Sequence, residues 1–309
     1  MVCRPKSGPQ CANDMPNNLK IRSPWSQLAL FLALLGASLI ILILVAGVIY
    51  NAAGYTGSPI DTTMSDPRMI ATLKWIQALS TVIVFGIPAY FYARATFTNR
   101  PLYHLGLRPA VKSSFYLLAI ILLLISFPLE GWLGELNKQF PLPTWMVQME
   151  KDNDRQFAAF LKATTPLQVL VNLLVVAALP AFFEELCFRG ALQRILIHVF
   201  KSPWAGIVVT GIFFSAFHMQ FEGFLPRLFL GILLGAACWY SGSLWTPILA
   251  HFFYNGIQVV AVIYYPAALT ENPSIPLFTV LLSMVIVVGL LYWMRKLSTI
   301  SYTGVFDQI

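Results

Sequence analysis

The chain has 309 residues, of which 58% are hydrophobic and 11% charged, with a mean hydropathy of +0.71. Soluble domains average roughly 45–50% apolar and about 25% charged residues, so this composition excludes a soluble enzyme, a nucleic-acid reader and a secreted disulfide scaffold. The net charge of +7 reports topology rather than an anionic partner, because basic residues of membrane proteins collect in their cytoplasmic segments.

Residues 1–26 hold Pro, Asn and basic residues ahead of any apolar run and read as a cytoplasmic tail. Cys3 and Cys11 have no lipidation motif beside them and are expected to stay reduced and unmodified. The first apolar run, Gln27 to Tyr50, is too long for a signal-peptide core and is expected to remain as a membrane span. Further runs lie at Trp75 to Tyr92, Phe115 to Leu133, Leu167 to Phe183, Trp204 to Phe217, Phe224 to Tyr240, Trp245 to Tyr265 and Leu277 to Met294. These predict an all-α integral membrane protein, a bundle of about eight transmembrane helices over 27–294 followed by a cytoplasmic tail at 295–309. The polar stretch Asn137 to Thr165 reads as a solvated loop, with Trp145 and Met146 as the only hint of a short amphipathic element over a cavity mouth. The last residues, Phe306-Asp307-Gln308-Ile309, lack the Cys of a prenylation signal, so the chain itself is not expected to carry that modification.

Orientation follows from counting Lys and Arg. With the N-terminus inside, the inner segments hold Arg4, Lys6, Lys20, Arg22, Arg94, Arg100, Arg108, Lys112, Arg189, Arg194, Lys201, Arg295 and Lys296. The outer ones hold only Arg68, Lys138, Lys151, Arg155, Lys162 and Arg227, and Lys74 can snorkel from near the outer end of its helix. Both termini are therefore predicted to be cytoplasmic.

Charge in hydrocarbon costs about 2.5–3.5 kcal/mol per central ionised group on insertion scales, so each such group asks for a partner or a purpose. The segment PAFFEELCFRG has three: Glu184, Glu185 and Arg189. Glu185 and Arg189 are four residues apart on one helix face and form an ion pair readily. Glu184 is turned about 100° away and must look elsewhere, as a base of raised proton affinity would. The alternative is that all three merely form a helix-packing network.

Two of the four histidines lie in apolar segments. His218 closes FSAFH and His251 opens HFFYN, while His104 and His198 are expected at a surface or interface. His251 and Asn255 share a face at i and i+4 and can both donate toward one point, which an oxyanion needs. Phe214, four residues before His218, is expected to pack beneath that ring. A carboxylate, an imidazole and a donor pair suffice to activate water and hydrolyse an amide within the membrane. Glu184, His218 and His251 also have the composition of a His₂Glu zinc site, but the HExxH helix is missing, so no cofactor is expected and zinc is the lesser alternative. At about 1.5 Å per residue, His218 lies some 21 Å from Trp204, and His251 lies some 9 Å from Trp245. For them to meet, their helices must begin at different heights, or one must be kinked or partly inserted, as Pro203 and Pro247 permit.

EELCFR, FSAFH and HFFYN resemble, in order and approximate spacing, the EExxxR, FxxxH and HxxxN motifs of the CPBP intramembrane endopeptidases, relatives of the type II CAAX prenyl endopeptidase and of the Abi family. The resemblance spans about 167–265. It implies an eight-helix bundle around a polar intramembrane cavity and a glutamate protease. Glu184 would then activate water beside His218, His251 and Asn255 would stabilise the oxyanion, and Glu185, Arg189 and Phe214 would support them. The expected partners are the lipid bilayer and a membrane-associated, possibly prenylated, protein or peptide substrate, with no nucleic acid. A non-catalytic scaffold or bacteriocin-immunity-type protein, or a zinc-dependent intramembrane protease, is the alternative. A transporter would spread its ionisable groups along a path, whereas here they cluster.

Overall fold

In the computed structural model, residues 19–55, 66–265 and 275–306 are described. Most of the expected N-terminal tail, with Cys3 and Cys11, and the end of the C-terminal tail lie outside the described residues. Among the described residues, nine helices of fifteen or more residues follow in order: α1 Pro24–Ala52, α2 Pro67–Thr96, α3 Ser114–Asn137, α4 Thr144–Leu161, α5 Pro166–Phe200, α6 Pro203–Phe217, α7 Phe224–Ser241, α8 Trp245–Tyr264 and α9 Leu277–Leu297. Among the described residues the one β pairing is an isolated bridge from Leu19 to Phe97. Seven helices are long and apolar enough to cross a bilayer, namely all but α4 and α6, and the chain is an all-α, multi-pass membrane protein.

Proline and a small polar residue start many of these helices. Ser23-Pro24, Asp66-Pro67, Thr165-Pro166 and Ser202-Pro203 each place an N-cap oxygen on a free backbone N–H and a ring at a position that needs no donor. Thr165 and Gln168 close a reciprocal capping box at the head of α5. Lys201 and Gly242, both at positive φ, end α5 and α7.

Two departures from the sequence expectation shape the site. The fifth apolar run, Trp204 to Phe217, becomes α6, only 15 residues long and too short for a full span, followed by Met219 at φ 51°. His218 and His251 meet because their helices begin at different heights: α6 starts beside Ile197 near the end of α5, where a Cβ on Gly206 would sit 2.4 Å from that side chain, whereas Trp245 at the head of α8 packs on Phe182, fifteen residues earlier. Asn137 to Thr165 is not a solvated loop: α4 fills most of it. Pro143 precedes the helix, and its apolar side, with Phe157 and Phe160, turns to the bundle while Lys151 and Arg155 face out. Phe160 joins Met69 and Leu73 of α2 in a small cluster against Tyr50 and Tyr55, so α4 lies at the end of the bundle where α1 finishes and α2 begins.

The main core lies toward the opposite end. It joins Phe115 and Leu122 of α3, Phe188 and Ile195 of α5, Phe214 of α6, and Leu233 and Leu234 of α7. α6 and α7 approach at Gly211 and Gly231, where a Cβ on Gly231 would sit 2.9 Å from the Gly211 Cα. Exposed Ile43, Val48, Phe278 and Val285 on α1 and α9 form lipid-facing surface.

α4 is tied down by polar contacts. Buried Asn172 of α5 donates from Nδ2 to the Leu161 carbonyl and accepts at 2.6 Å from Lys74 Nζ, so Lys74 is bonded within the bundle rather than snorkelling. Glu150 Oε2 accepts from the Phe221 N–H at 2.9 Å, and the Trp145 ring packs edge-on to Phe221. Burial pushes the Glu150 carboxyl above its ordinary value despite the Phe221 N–H and the charge of Arg227, and it raises Asp154 likewise against Arg227 and Lys138. A carboxyl raised by docking binds its proton more tightly docked than free. The docked state of α4 is thus favoured at low pH and loses that contribution as pH rises through the raised values. Protection of the α4 amides from hydrogen exchange, corrected for intrinsic rates, is expected to fall from mildly acidic to mildly alkaline pH, with a flatter response in Glu150→Gln. Protection independent of pH would contradict this.

Candidate active site

α5 carries the two carboxylates on a helix that is not regular. Its turns widen over Leu173–Ala178 and again over Leu186–Gln193, the second directly after Glu185. Pro180 has no N–H to return to the Val176 carbonyl, and that carbonyl instead accepts a long bond, 3.5 Å, from Asn255 Nδ2 of α8.

Glu185 is fully buried. Its Oε1 accepts from Arg189 Nη1 at 2.6 Å and from His251 Nδ1 at 2.9 Å, joining α5 to α8 through one oxygen. Arg189 continues the chain by donating from Nη2 to the Gly231 carbonyl at 3.1 Å, at the close approach of α6 and α7. Its guanidinium lies 4.4 Å from the centroid of Phe214. Phe214 in turn meets the rings of His218 at 4.9 Å and His251 at 5.9 Å. The His218 Nδ1 faces the Phe214 carbonyl at 2.7 Å, which places the proton on Nδ1 and leaves Nε2 as an acceptor in the neutral ring.

Glu184 differs from its neighbour in making no side-chain hydrogen bond with either oxygen. Its Oε2 is buried without a partner, as is that of Glu185, and it stands 3.9 Å from His218 Nε2, too far for a direct bond but a span that one water bridges. Both groups line a cavity of about 510 Å³, together with Phe214, His251 and Asn255. α4 contributes Asn153, Asp154, Gln156, Phe157 and Phe160 to the same cavity, and Gln77 and Gln258 lie on its lining from α2 and α8. The four residues expected to be catalytic, together with the expected support Phe214, thus line one space, and Glu185 and Arg189 stand behind them. His104 is elsewhere, stacked on Phe97 at 5.1 Å.

Three residues of this neighbourhood are absent from the sequence-based candidates. Arg227, counted above among outer loop residues, lies in the first turn of α7, lines the cavity and donates to the Gln220 carbonyl and side chain. Tyr254 lines the cavity beside Asn255 and donates to Glu130 of α3. Glu130 stands inside the apolar run Phe115 to Leu133, so the cost of charge in hydrocarbon, applied there as it was to Glu184, marks it from sequence alone. Among the described residues no three His, Cys, Asp or Glu side chains converge as a set of metal ligands.

Residues 166–257, which run from the start of α5 into α8, match the family model described as Type II CAAX prenyl endopeptidase Rce1-like. The match supports the CPBP/CAAX protease family that the three motifs resemble, and it implies a peptidase. An Escherichia coli protein named "Uncharacterized 24.3 kDa protein" is 35% identical over 91 residues, which are 27% of this chain and 40% of that protein. The chain therefore spans less than half the length of this curated relative. No solved structure matches.

The pairing of Glu185 makes a prediction about stability. Arg189→Met strips the buried Glu185 carboxylate of its guanidinium and leaves only His251 beside it, which is expected to cost about 3–5 kcal/mol. Adding Glu185→Gln should restore most of it. Unfolding in detergent, followed by circular dichroism, reads both, and equal losses in the single and double variants would rule out the unpaired charge as the cause.

Proposed function

We propose that this protein is an intramembrane endopeptidase that hydrolyses a peptide bond of a membrane-associated protein with water activated by Glu184. The observation that carries this reading is buried Glu184, whose Oε2 has no hydrogen-bond partner and stands 3.9 Å from the acceptor nitrogen of His218, on the lining of a cavity that both residues share. A water between them donates one hydrogen to each, and its oxygen lone pair is left to point into the cavity.

In the reaction, the water oxygen bonds to the substrate carbonyl carbon as one of its protons moves to Glu184. The carbonyl electron pair shifts to oxygen, where Asn255 Nδ2 and His251 Nε2 donate to it. Because Glu185 accepts from Nδ1, neutral His251 has no hydrogen on Nε2, so His251 acts as the imidazolium that Glu185 stabilises. When the carbonyl re-forms, the C–N bond breaks and the amine takes the proton held by Glu184. The products are a new carboxyl terminus and a new amine, and Glu184 is returned to its starting state.

The excess of Lys and Arg in the inner segments supports a cytoplasmic position for both termini. The domain division, a membrane unit at 27–294 with its catalytic core at about 167–265 between two tails, belongs to the same proposal. A scaffold or immunity-type protein is less favoured, because packing alone does not require a buried carboxylate that makes no hydrogen bond with either oxygen on the wall of a cavity it shares with an imidazole.

Detergent-purified protein and Glu184→Gln are to be offered a quenched fluorescent peptide library, with and without a C-terminal lipid and with and without a zinc chelator. Chelator-resistant cleavage that falls at least about a thousandfold in the variant is expected, the scale of losing a general base and its oriented water. Cleavage abolished by the chelator would replace this mechanism with the zinc one, and equal activity in wild type and variant would overturn the role of Glu184.

A further inference from the structure

Outside the matched segment, one membrane-embedded carboxylate contacts the cavity wall. Glu130 of α3 is 4% exposed, and its two oxygens accept from the Ser126 and Tyr254 hydroxyls. Among the described residues no Lys, Arg or His nitrogen lies within ion-pair distance of it. An ionisable group at this depth is expensive and, as a rule, has a functional reason. Here the carboxyl is an acceptor for hydroxyls rather than half of an ion pair.

Tyr254 is held by α3 in two ways. Its hydroxyl is bonded to Glu130, and its ring stacks on Phe127 with centroids 4.8 Å apart and planes at 13°. Pro128 lies between Phe127 and Glu130, where it interrupts the α3 hydrogen-bond ladder. On α8, Tyr254 stands three residues after His251 and one before Asn255, so all three lie on one face within about a third of a turn. His251 is tied to Glu185 at 2.9 Å. Asn255, by contrast, has only the 3.5 Å bond to Val176. The direction of the Asn255 amide is thus set by the rotation of α8, and the anchor nearest to it is Tyr254.

We propose that Glu130 is a positioning residue for the site, acting through Tyr254 to fix the rotation of α8 and so aim the Asn255 amide at the oxyanion. The proposal rests on the reading of the site as catalytic. Its magnitude follows from geometry. A side-chain tip about 6 Å from a helix axis moves about 1 Å when the helix turns by about 10°, and a misplacement of that size can cost up to about a hundredfold in rate.

The test measures kcat and KM for Tyr254→Phe, Glu130→Leu, Glu130→Gln and Asn255→Ala, with Glu184→Gln as the reference for chemistry, each normalised to folded protein. Tyr254→Phe keeps the stacked ring and removes only the hydroxyl. It and Glu130→Leu are expected to lower kcat about tenfold with KM within about twofold, the signature of a contact made in the transition state. Glu130→Gln still accepts from Tyr254 and is expected to stay within about threefold of wild type. Combining Tyr254→Phe with Asn255→Ala should be no slower than Asn255→Ala alone, because both act on one donor. A merely structural role would lower the unfolding temperature without this kcat pattern. If Glu184→Gln is inactive while Tyr254→Phe has wild-type kcat, or if its loss multiplies with that of Asn255→Ala, the positioning role is overturned. If Glu184→Gln remains active, the catalytic reading itself falls, and this inference falls with it.

Discussion

A single carboxylate oxygen organises the centre of this protein. Glu185 Oε1 accepts from Arg189 in its own helix and from His251 across the bundle, in a place with no exposure to solvent. Moving a carboxylate into such a medium costs several kcal/mol unless its lone pairs are met, so α5 and α8 are held at one separation and one relative rotation by the need to meet them. Arg189 extends the constraint to the α6–α7 contact through the Gly231 carbonyl and to Phe214 through its ring face. Four helices are thereby registered around one ion pair. Glu184, one residue earlier, can remain unbonded because its neighbours are positioned without its help.

The short α6 is the second constraint. Because α8 starts beside Phe182, midway along α5, His251 in its second turn reaches the depth that His218 reaches only at the end of α6. Ending after 15 residues, the chain turns at Met219 and returns as α7, and the turn is held from several sides. Asn137 donates to the Phe221 carbonyl at 2.7 Å and accepts from the Leu225 N–H at 3.0 Å, Glu150 accepts from the Phe221 N–H, and Arg227 donates to Gln220. Backbone groups at membrane depth must find protein partners when no water is at hand, and these side chains supply them. The same polar contacts that permit the chain to stop midway also bring α4 over the cavity.

Much of this was legible in the sequence, and the reasons differ by element. Spans of Leu, Ile, Val and Phe announce themselves through length and hydropathy, and Glu185 with Arg189 through the helical period. The meeting of His218 and His251 was legible as residues and, in depth, only as a choice between unequal starts and a kinked or partly inserted helix, because the starting heights of α6 and α8 are set by packing on Ile197 and Phe182 that no periodicity encodes. α4 was misread because its apolar side is broken up by Asp152, Asn153, Asp154 and Gln156, which look like loop residues until the cavity that some of them face is known. Arg227 was assigned to a loop for the same reason: its partner Gln220 is a local contact that no periodicity encodes. Glu130 is a different case, since an acid inside an apolar run is visible from composition, and only its partner Tyr254 required three dimensions.

The division of labour between helices follows from these contacts. The segment that matches the family, 166–257, supplies the carboxylate pair, both histidines and the amide donor. The walls come from elsewhere: α4 covers the cavity, α2 contributes Gln77 and the Lys74 tie, and α3 holds Tyr254 and clamps the turn after α6 through Asn137. Chemistry at a peptide carbonyl asks for the same few groups whatever the substrate, whereas the shape and polarity of the cleft decide which chains reach them. In this architecture the first demand falls on α5, α6 and α8, and the second falls largely on α2, α3 and α4. A substitution in the latter set that leaves Tyr254 and the α6 turn in place alters what the cavity admits before it alters how Glu184 works.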